Sequence, residues 1–155
     1  MEINNFIALS VIVVAALGIG VGTMTWAYFG KGSISVLFKE PILNLPEFPA
    51  TDGGSKAAVY FQQGIEAYQS ENYRKAKDKF TSALEQVATA VAYHNRGLVF
   101  ANLRSDGEAV ADLIRASELY QQQGNESAID TIKQNLAALK QRKLERENKK
   151  AIPAS

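Results

Sequence analysis

The chain has no cysteine and only one histidine, His94, among its 155 residues. The absence of cysteine excludes disulfides, thiolate nucleophiles and cysteine-ligated metals. No second histidine is present to complete a common catalytic or metal-binding constellation with His94. The formal net charge of +1 gives no general attraction to nucleic acid. We therefore predict no catalysis, no metal site, no cofactor and no nucleic-acid partner.

Charged residues, histidine and proline are also missing between Glu2 and Lys31. This apolar run exceeds the roughly 20 residues that a helix needs to cross a bilayer, so residues 1–30 are predicted to form a transmembrane anchor. The start "MEINN" and the length of the run argue against a cleaved signal peptide. Because Lys31 and Lys39 follow the span, the positive-inside rule favours the larger part on the cytoplasmic side.

Two glycines within this span, Gly18 and Gly22 in "GIGVG", have the spacing that lets transmembrane helices approach closely. The pair is a candidate helix contact and leaves self-association open. Small residues also occur in such helices for other reasons. The cluster is not a nucleotide-binding loop, because no strand precedes it and no Lys-Ser/Thr pair follows it.

The next segment, residues 31–56, contains Pro41, Pro46 and Pro49 and ends near a Gly-Gly pair. This composition disfavours helix and favours an extended stalk. Several of its residues are apolar enough to lie on a surface, namely Val36, Leu37, Phe38, Ile42, Leu43 and Leu45. A free stalk and a docked stalk therefore both remain open.

From residue 57 onward the apolar residues recur at helical spacing, and five helices are predicted. Asn72, Ser105 and Asn125 are candidate N-caps, so helices are expected to begin near residues 73, 106 and 126. Ser105 and Glu108 have the spacing of a capping box. The last helix ends in the mostly basic "KQRKLERENKK", which is either a solvated end or attractive to an acidic partner or anionic lipid.

Two stretches align at an offset of 33 residues, "VYFQQGIEAYQS" (59–70) and "AYHNRGLVFANL" (92–103). Tyr60 corresponds to Tyr93 and Gly64 to Gly97. Further matches at this offset are Ala76 with Ala109, Phe80 with Leu113, Ala83 with Ala116, and Glu85 with Glu118. This pattern of aromatic, glycine and alanine positions resembles the tetratricopeptide repeat (TPR). Gln63 and Arg96 depart from it, because the family has an apolar residue before the glycine.

The resemblance implies an all-α fold with two TPR helical hairpins over residues 57–122 and a capping helix and basic tail over residues 123–155. In TPR proteins the first helix of each hairpin lines a concave groove that binds partner segments. By this resemblance the partner-binding residues are Phe61, Gln62, Ile65, Tyr68, Gln69, His94, Asn95, Leu98 and Asn102.

Three of these residues, Phe61, Tyr68 and His94, are candidate anchors for a partner. Phe61 and Tyr68 are not expected at packing positions, because Tyr60, Gly64 and Ala76 already fill the packing pattern. The alternative for His94 is a solvated helix position without a function.

The wording "YHNRGLVFANL" and the closing "IKQNLAALKQRK" resemble the small membrane-anchored TPR proteins of cyanobacteria and plastids that assist photosystem I assembly. This resemblance implies a single-pass thylakoid protein that holds a subunit or an assembly intermediate of the complex. Two alternatives remain open. One is a bacterial inner-membrane TPR protein that attends a translocon or chaperone, with the opposite topology, and the other is a permanent small subunit of a membrane complex.

Overall fold

The computed structural model describes residues 36–151, which form five helices and no strand. The predicted all-α fold is confirmed for this part of the chain. The helices are α1 (Asp52–Gln69), α2 (Tyr73–Gln86), α3 (Ala90–Asn102), α4 (Asp106–Gln122) and α5 (Glu126–Ala151). None of these five is long and apolar enough to cross a membrane. The predicted transmembrane anchor, with Gly18 and Gly22, lies outside the described residues.

The starts of three helices agree with the N-cap predictions. The side chains of Asn72 and Asn125 each accept a hydrogen bond from the backbone N–H three residues later, at 3.2 and 3.1 Å. The capping box at Ser105 was predicted wrongly, because this side chain makes no capping hydrogen bond. Helix α4 still begins at the next residue, where Asp106 and Glu108 place negative charge in the first turn.

Helix α1 begins at Asp52, so the last five residues of the predicted stalk are helical. The signal missed here is Thr51, whose side-chain oxygen accepts a hydrogen bond from the Gly54 N–H at 3.1 Å. A Cβ on Gly54 would lie only 1.9 Å from the carbonyl oxygen of Pro49. The glycine therefore permits a tight entry into the helix instead of a flexible linker.

Consecutive helices pack on one another, α1 on α2, α2 on α3, α3 on α4 and α4 on α5. Within the first pair, Gly64 faces the ring of Phe80, and within the second pair, Gly97 faces Leu113. These contacts are 33 residues apart, as the alignment requires. We call α1 with α2 the first unit and α3 with α4 the second unit.

The backbone of the connections follows the same offset. Glu71 and Arg104, which end the turns after α1 and α3, have positive φ angles of 56° and 65°. The following N–H bonds back to the carbonyl five residues earlier, at 2.8 Å in the first unit and 2.9 Å in the second. Both first helices therefore end in the same Schellman-type turn, although neither turn has the glycine that this geometry favours.

Candidate functional site

Residues 36–50, which we call the groove segment, have no helix or strand, bend at Leu37 and Glu40, and lie against α1 and α3. At one end, the Phe38 N–H donates to Asn102 Oδ1 at 3.0 Å, and Asn102 Nδ2 donates to the Phe38 carbonyl at 2.7 Å. The Tyr68 hydroxyl donates to the same carbonyl at 2.8 Å. Within the described residues, this part of the predicted stalk is therefore docked on the helices and is not free.

A second side-chain amide holds the groove segment in the same way. The Ile42 N–H donates to Asn95 Oδ1 at 2.7 Å, and Asn95 Nδ2 donates to the Ile42 carbonyl at 2.9 Å. In extended chain the N–H and C=O of one residue point to the same side, where a neighbouring β-strand would pair with both. Asn95 and Asn102 take the place of that strand, and their hydrogen bonds to the groove segment are all to its backbone.

The spacing of the two amides along α3 is close to the length of chain that separates Phe38 from Ile42. Asn95 and Asn102 are seven residues apart on α3, which is about 10.5 Å along the helix axis at about 1.5 Å per residue. Phe38 and Ile42 are four residues apart, which is at most about 12 Å at about 3.1 Å per residue. The groove segment runs antiparallel to α3, and its backbone bends at Glu40 between the two amides.

Apolar side chains complete the attachment of the groove segment. Leu37, Phe38, Ile42 and Phe48 are partly buried and pack against the core. The Phe48 ring meets Phe61 of α1 edge to face, with 6.1 Å between the ring centroids. The groove segment therefore contacts both first helices.

The polar contacts at this site are between neutral groups. Burial raises the pKa of Tyr68 far above its ordinary value, so its hydroxyl remains a hydrogen-bond donor at physiological pH. Asn102 Nδ2 also donates to the Tyr68 hydroxyl oxygen at 3.1 Å. Neutral donors and acceptors of this kind recognise a peptide backbone and do not select charge.

The predicted groove residues have different surroundings. Phe61, Ile65, Tyr68, His94, Asn95, Leu98 and Asn102 are buried, whereas Gln62 and Gln69 are exposed. Four of the nine contact the groove segment, namely Phe61, Tyr68, Asn95 and Asn102. Partner binding by the nine residues stays a prediction.

His94 contacts the last helix. Its Nε2 atom lies 2.8 Å from Asn135 Nδ2 of α5, and its ring meets Tyr120 of α4 edge to face at 6.0 Å. Only 1% of His94 is exposed, so the alternative of a solvated position is wrong. Burial lowers the pKa of His94 to about 4, and the ring is neutral at physiological pH.

The expectation that Phe61 and Tyr68 are free of packing roles is wrong. Phe61 is 1% exposed and meets Phe80 at 5.6 Å between ring centroids, and Tyr68 is fully buried. The repeated tyrosines, Tyr60 and Tyr93, are only partly buried, each with a cation near its ring. The reason is rotational, because one residue along a helix turns the side chain by about 100°.

Arg96 departs from the TPR pattern and joins three helices. Its guanidinium donates to both carboxylate oxygens of Asp112 in α4, at 2.7 and 2.9 Å, and to the Thr81 hydroxyl in α2 at 3.2 Å. It also lies 5.8 Å from the ring centroid of Phe100. The polar residue before Gly97 thus has a packing role of its own.

A second concave surface lies between α4 and the end of α5, where the basic tail was predicted. Its apolar floor is Val110, Leu136 and Leu139, and its basic residues are Arg104, Lys140, Lys143, Arg146 and Lys150. Asp106 forms ion pairs with Arg142 and Arg146, so two of the tail's cations hold α5 against α4. Among residues 36–151, no cluster of three or more His, Cys, Asp or Glu side chains is placed to hold a metal ion.

Sequence reasoning noted Phe38 and Ile42 only as apolar residues able to lie on a surface, and it did not single out Phe48. A further signal is that the three prolines of the stalk avoid positions 38 and 42, where the backbone N–H is used.

Comparison with known proteins gave no match to a family model, to a curated protein or to a solved structure.

Proposed function

We propose that this chain is a protein-interaction scaffold of the TPR type whose groove holds an extended segment of a partner protein. The observation that carries the proposal is the pair of amides, Asn95 and Asn102, which hold both backbone groups of Phe38 and Ile42. A surface that holds one extended segment by backbone contacts is suited to hold another of similar shape.

Assignment to the TPR type is supported by the two helical units. Their glycine contacts and their left-handed turn residues recur at the 33-residue offset found in the sequence. A capping role for α5 is supported by its buried residues Ile132 and Leu139, which would otherwise leave the apolar side of α4 exposed.

The finer proposal concerns location and partner, and it comes from the sequence resemblance. The apolar run in residues 1–30 would tether the scaffold to the thylakoid membrane, with the helical part on the cytoplasmic or stromal side. There it would hold a subunit or intermediate of photosystem I during assembly. No catalysis is proposed, because His94 is buried and engaged with Asn135.

Site-specific photo-crosslinking tests this function in isolated thylakoid membranes. A photoreactive amino acid replaces Gln62, which is exposed on α1 and lines a shallow pocket with Leu45 of the groove segment. Asp78, exposed on α2, is the matched control position. We expect crosslinks from position 62 to a photosystem I subunit or intermediate and none from position 78. Equal crosslinking from both positions, or none from either, would contradict the proposal.

The same membranes separate the alternatives. A permanent subunit would be recovered in stoichiometric amounts with the mature complex, whereas an assembly factor is recovered with immature forms only. Topology is tested by adding protease to right-side-out cells, where Lys31 and Lys39 after the span predict protection of residues 57–150. Digestion from outside would favour the translocon or chaperone alternative.

A further inference from the structure

We propose that the groove segment is a built-in competitor of the partner, which is itself an extended apolar segment that must displace it. This inference rests on the proposed function. It names the class of ligand that the groove binds and the way in which binding is regulated. We infer the class of ligand from the contacts that hold the groove segment.

Displacement is required because the polar groups of the groove are already in use. The side-chain oxygen and nitrogen of Asn95 both hydrogen-bond to Ile42, and those of Asn102 both hydrogen-bond to Phe38. The hydroxyl of Tyr68 is bonded to the same segment. A second backbone cannot form these bonds while the first is in place.

Two features stabilise the built-in segment in the groove. Its prolines restrict the conformations of the unbound segment, so less conformational entropy is lost when the segment binds in the groove. Thr51 joins it directly to the start of α1, so its local concentration is high, on the order of millimolar for short connections. The apparent affinity of a partner is its intrinsic affinity multiplied by the fraction of molecules in which the groove is empty.

The partner's segment is defined by backbone and by apolar spacing. It must present free N–H groups at two residues four apart, which excludes proline at both. It must also be apolar where Phe38, Ile42 and Phe48 are partly buried. Charge between these points is not selected, because Lys39 and Glu40 are exposed.

A fluorescent peptide with the sequence of residues 36–50 is the probe, and its binding to the full chain in mild detergent is measured by anisotropy. Phe38→Pro with Ile42→Pro removes both N–H donors from the chain's own segment and leaves the groove intact. We expect this released variant to bind the peptide about tenfold or more tightly than the wild type does. Leu43→Pro is the matched control, because Leu43 is 63% exposed, and we expect it to behave as the wild type.

Adding Asn95→Leu and Asn102→Leu to the released variant should abolish peptide binding, since both backbone contacts are lost. Circular dichroism of every variant checks that the helices are retained. If the released variant loses helix, Phe48→Ala serves instead, because it removes the contact with Phe61 at the other end of the segment.

Equal affinity of wild type and released variant, no binding by the released variant, or binding that survives loss of both asparagines would each overturn the competition. So would crosslinking that joins residue 38 of one copy to residue 102 of another, because the segment would then be an interface between copies. The scaffold function is tested independently of these outcomes. Crosslinking from position 62 detects a membrane partner whether or not the groove segment competes with it.

Discussion

The two helical units have the same backbone plan but different interiors. Where the first unit has Phe61, the second has His94, and where the first has Gln69, exposed, the second has Asn102, buried. Phe61 contacts another aromatic ring of its own unit, Phe80. Three buried polar residues of the second unit, His94, Asn95 and Asn102, instead hydrogen-bond to parts of the chain outside the repeat.

This difference shows how a repeat acquires a distinct role. A buried polar group is costly unless it is hydrogen-bonded, so each such residue makes the unit depend on its partner. Asn95 and Asn102 are matched by the groove segment and His94 by α5. Helix α3 is accordingly central, with ten buried residues of 13, whereas α2 has three of 14.

The largest effect is expected from Phe61→Ala, which removes an aromatic ring from the interior of the first unit. We expect the free energy of unfolding of residues 36–155 to fall by about 3–5 kcal/mol, measured in urea. Gln62→Ala, at the neighbouring exposed position, is the control and should change it by less than about 0.5 kcal/mol. Similar values for the two variants would mean that Phe61 is not part of the core.

The two repeat glycines should respond differently to alanine. A Cβ on Gly64 would lie 2.6 Å from the fully buried ring of Phe80, whereas a Cβ on Gly97 would lie 3.1 Å from Leu113. We expect Gly64→Ala to destabilise by about 1–3 kcal/mol. Gly97→Ala should be near neutral, because a helix propensity gain of about 1 kcal/mol offsets a small shift of Leu113. Equal melting temperatures would show that the first pair is packed no more tightly than the second.

His94 should make the second unit sensitive to pH. Its pKa is about 4 in the folded chain against 6.5 ordinarily, so the unfolded chain binds more protons, and stability is lost as pH falls from about 6.5 towards 4. We expect the free energy of unfolding to be about 2 kcal/mol lower at pH 5 than at pH 7 from this group.

His94→Phe, which installs the residue of the first unit, is the comparison for this pH effect. It should remove most of the loss between pH 7 and pH 5. A variant that keeps the full loss would assign the effect to other groups.

The smallest effects are expected at the two turns. Glu71 and Arg104 have left-handed backbones that cost most side chains about 1 kcal/mol relative to glycine. Glu71→Gly and Arg104→Gly should each raise the free energy of unfolding by about 0.5–1 kcal/mol, and both together should add. Destabilisation by either would indicate that its side chain has a role that the turn geometry does not reveal.

Helix number and most helix starts were predictable, because apolar periodicity and caps such as Asn72 and Asn125 are local signals. The start of α1 was not predictable in this way. Gly54 favours flexible chain locally, and its fit against Pro49 is visible only once the chain is folded.

The direction in which each helix residue faces was harder to predict than the helices themselves. The internal alignment found the repeated tyrosines but not that the next residues, Phe61 and His94, are buried in the core. Asn95 and Asn102 were predicted as groove residues through the family resemblance. Their actual partner was not predicted, because a contact 53 or 64 residues away in sequence leaves no local pattern.

The central claim, that the chain's own segment fills the groove through the second unit, is tested most directly by amide hydrogen exchange read by NMR. In the wild type, the amides of Phe38 and Ile42 should exchange about tenfold or more slowly than those of the exposed Lys39 and Leu43. Asn95→Leu with Asn102→Leu should bring all four to the same fast rate. Equally fast exchange at all four amides of the wild type would contradict the account.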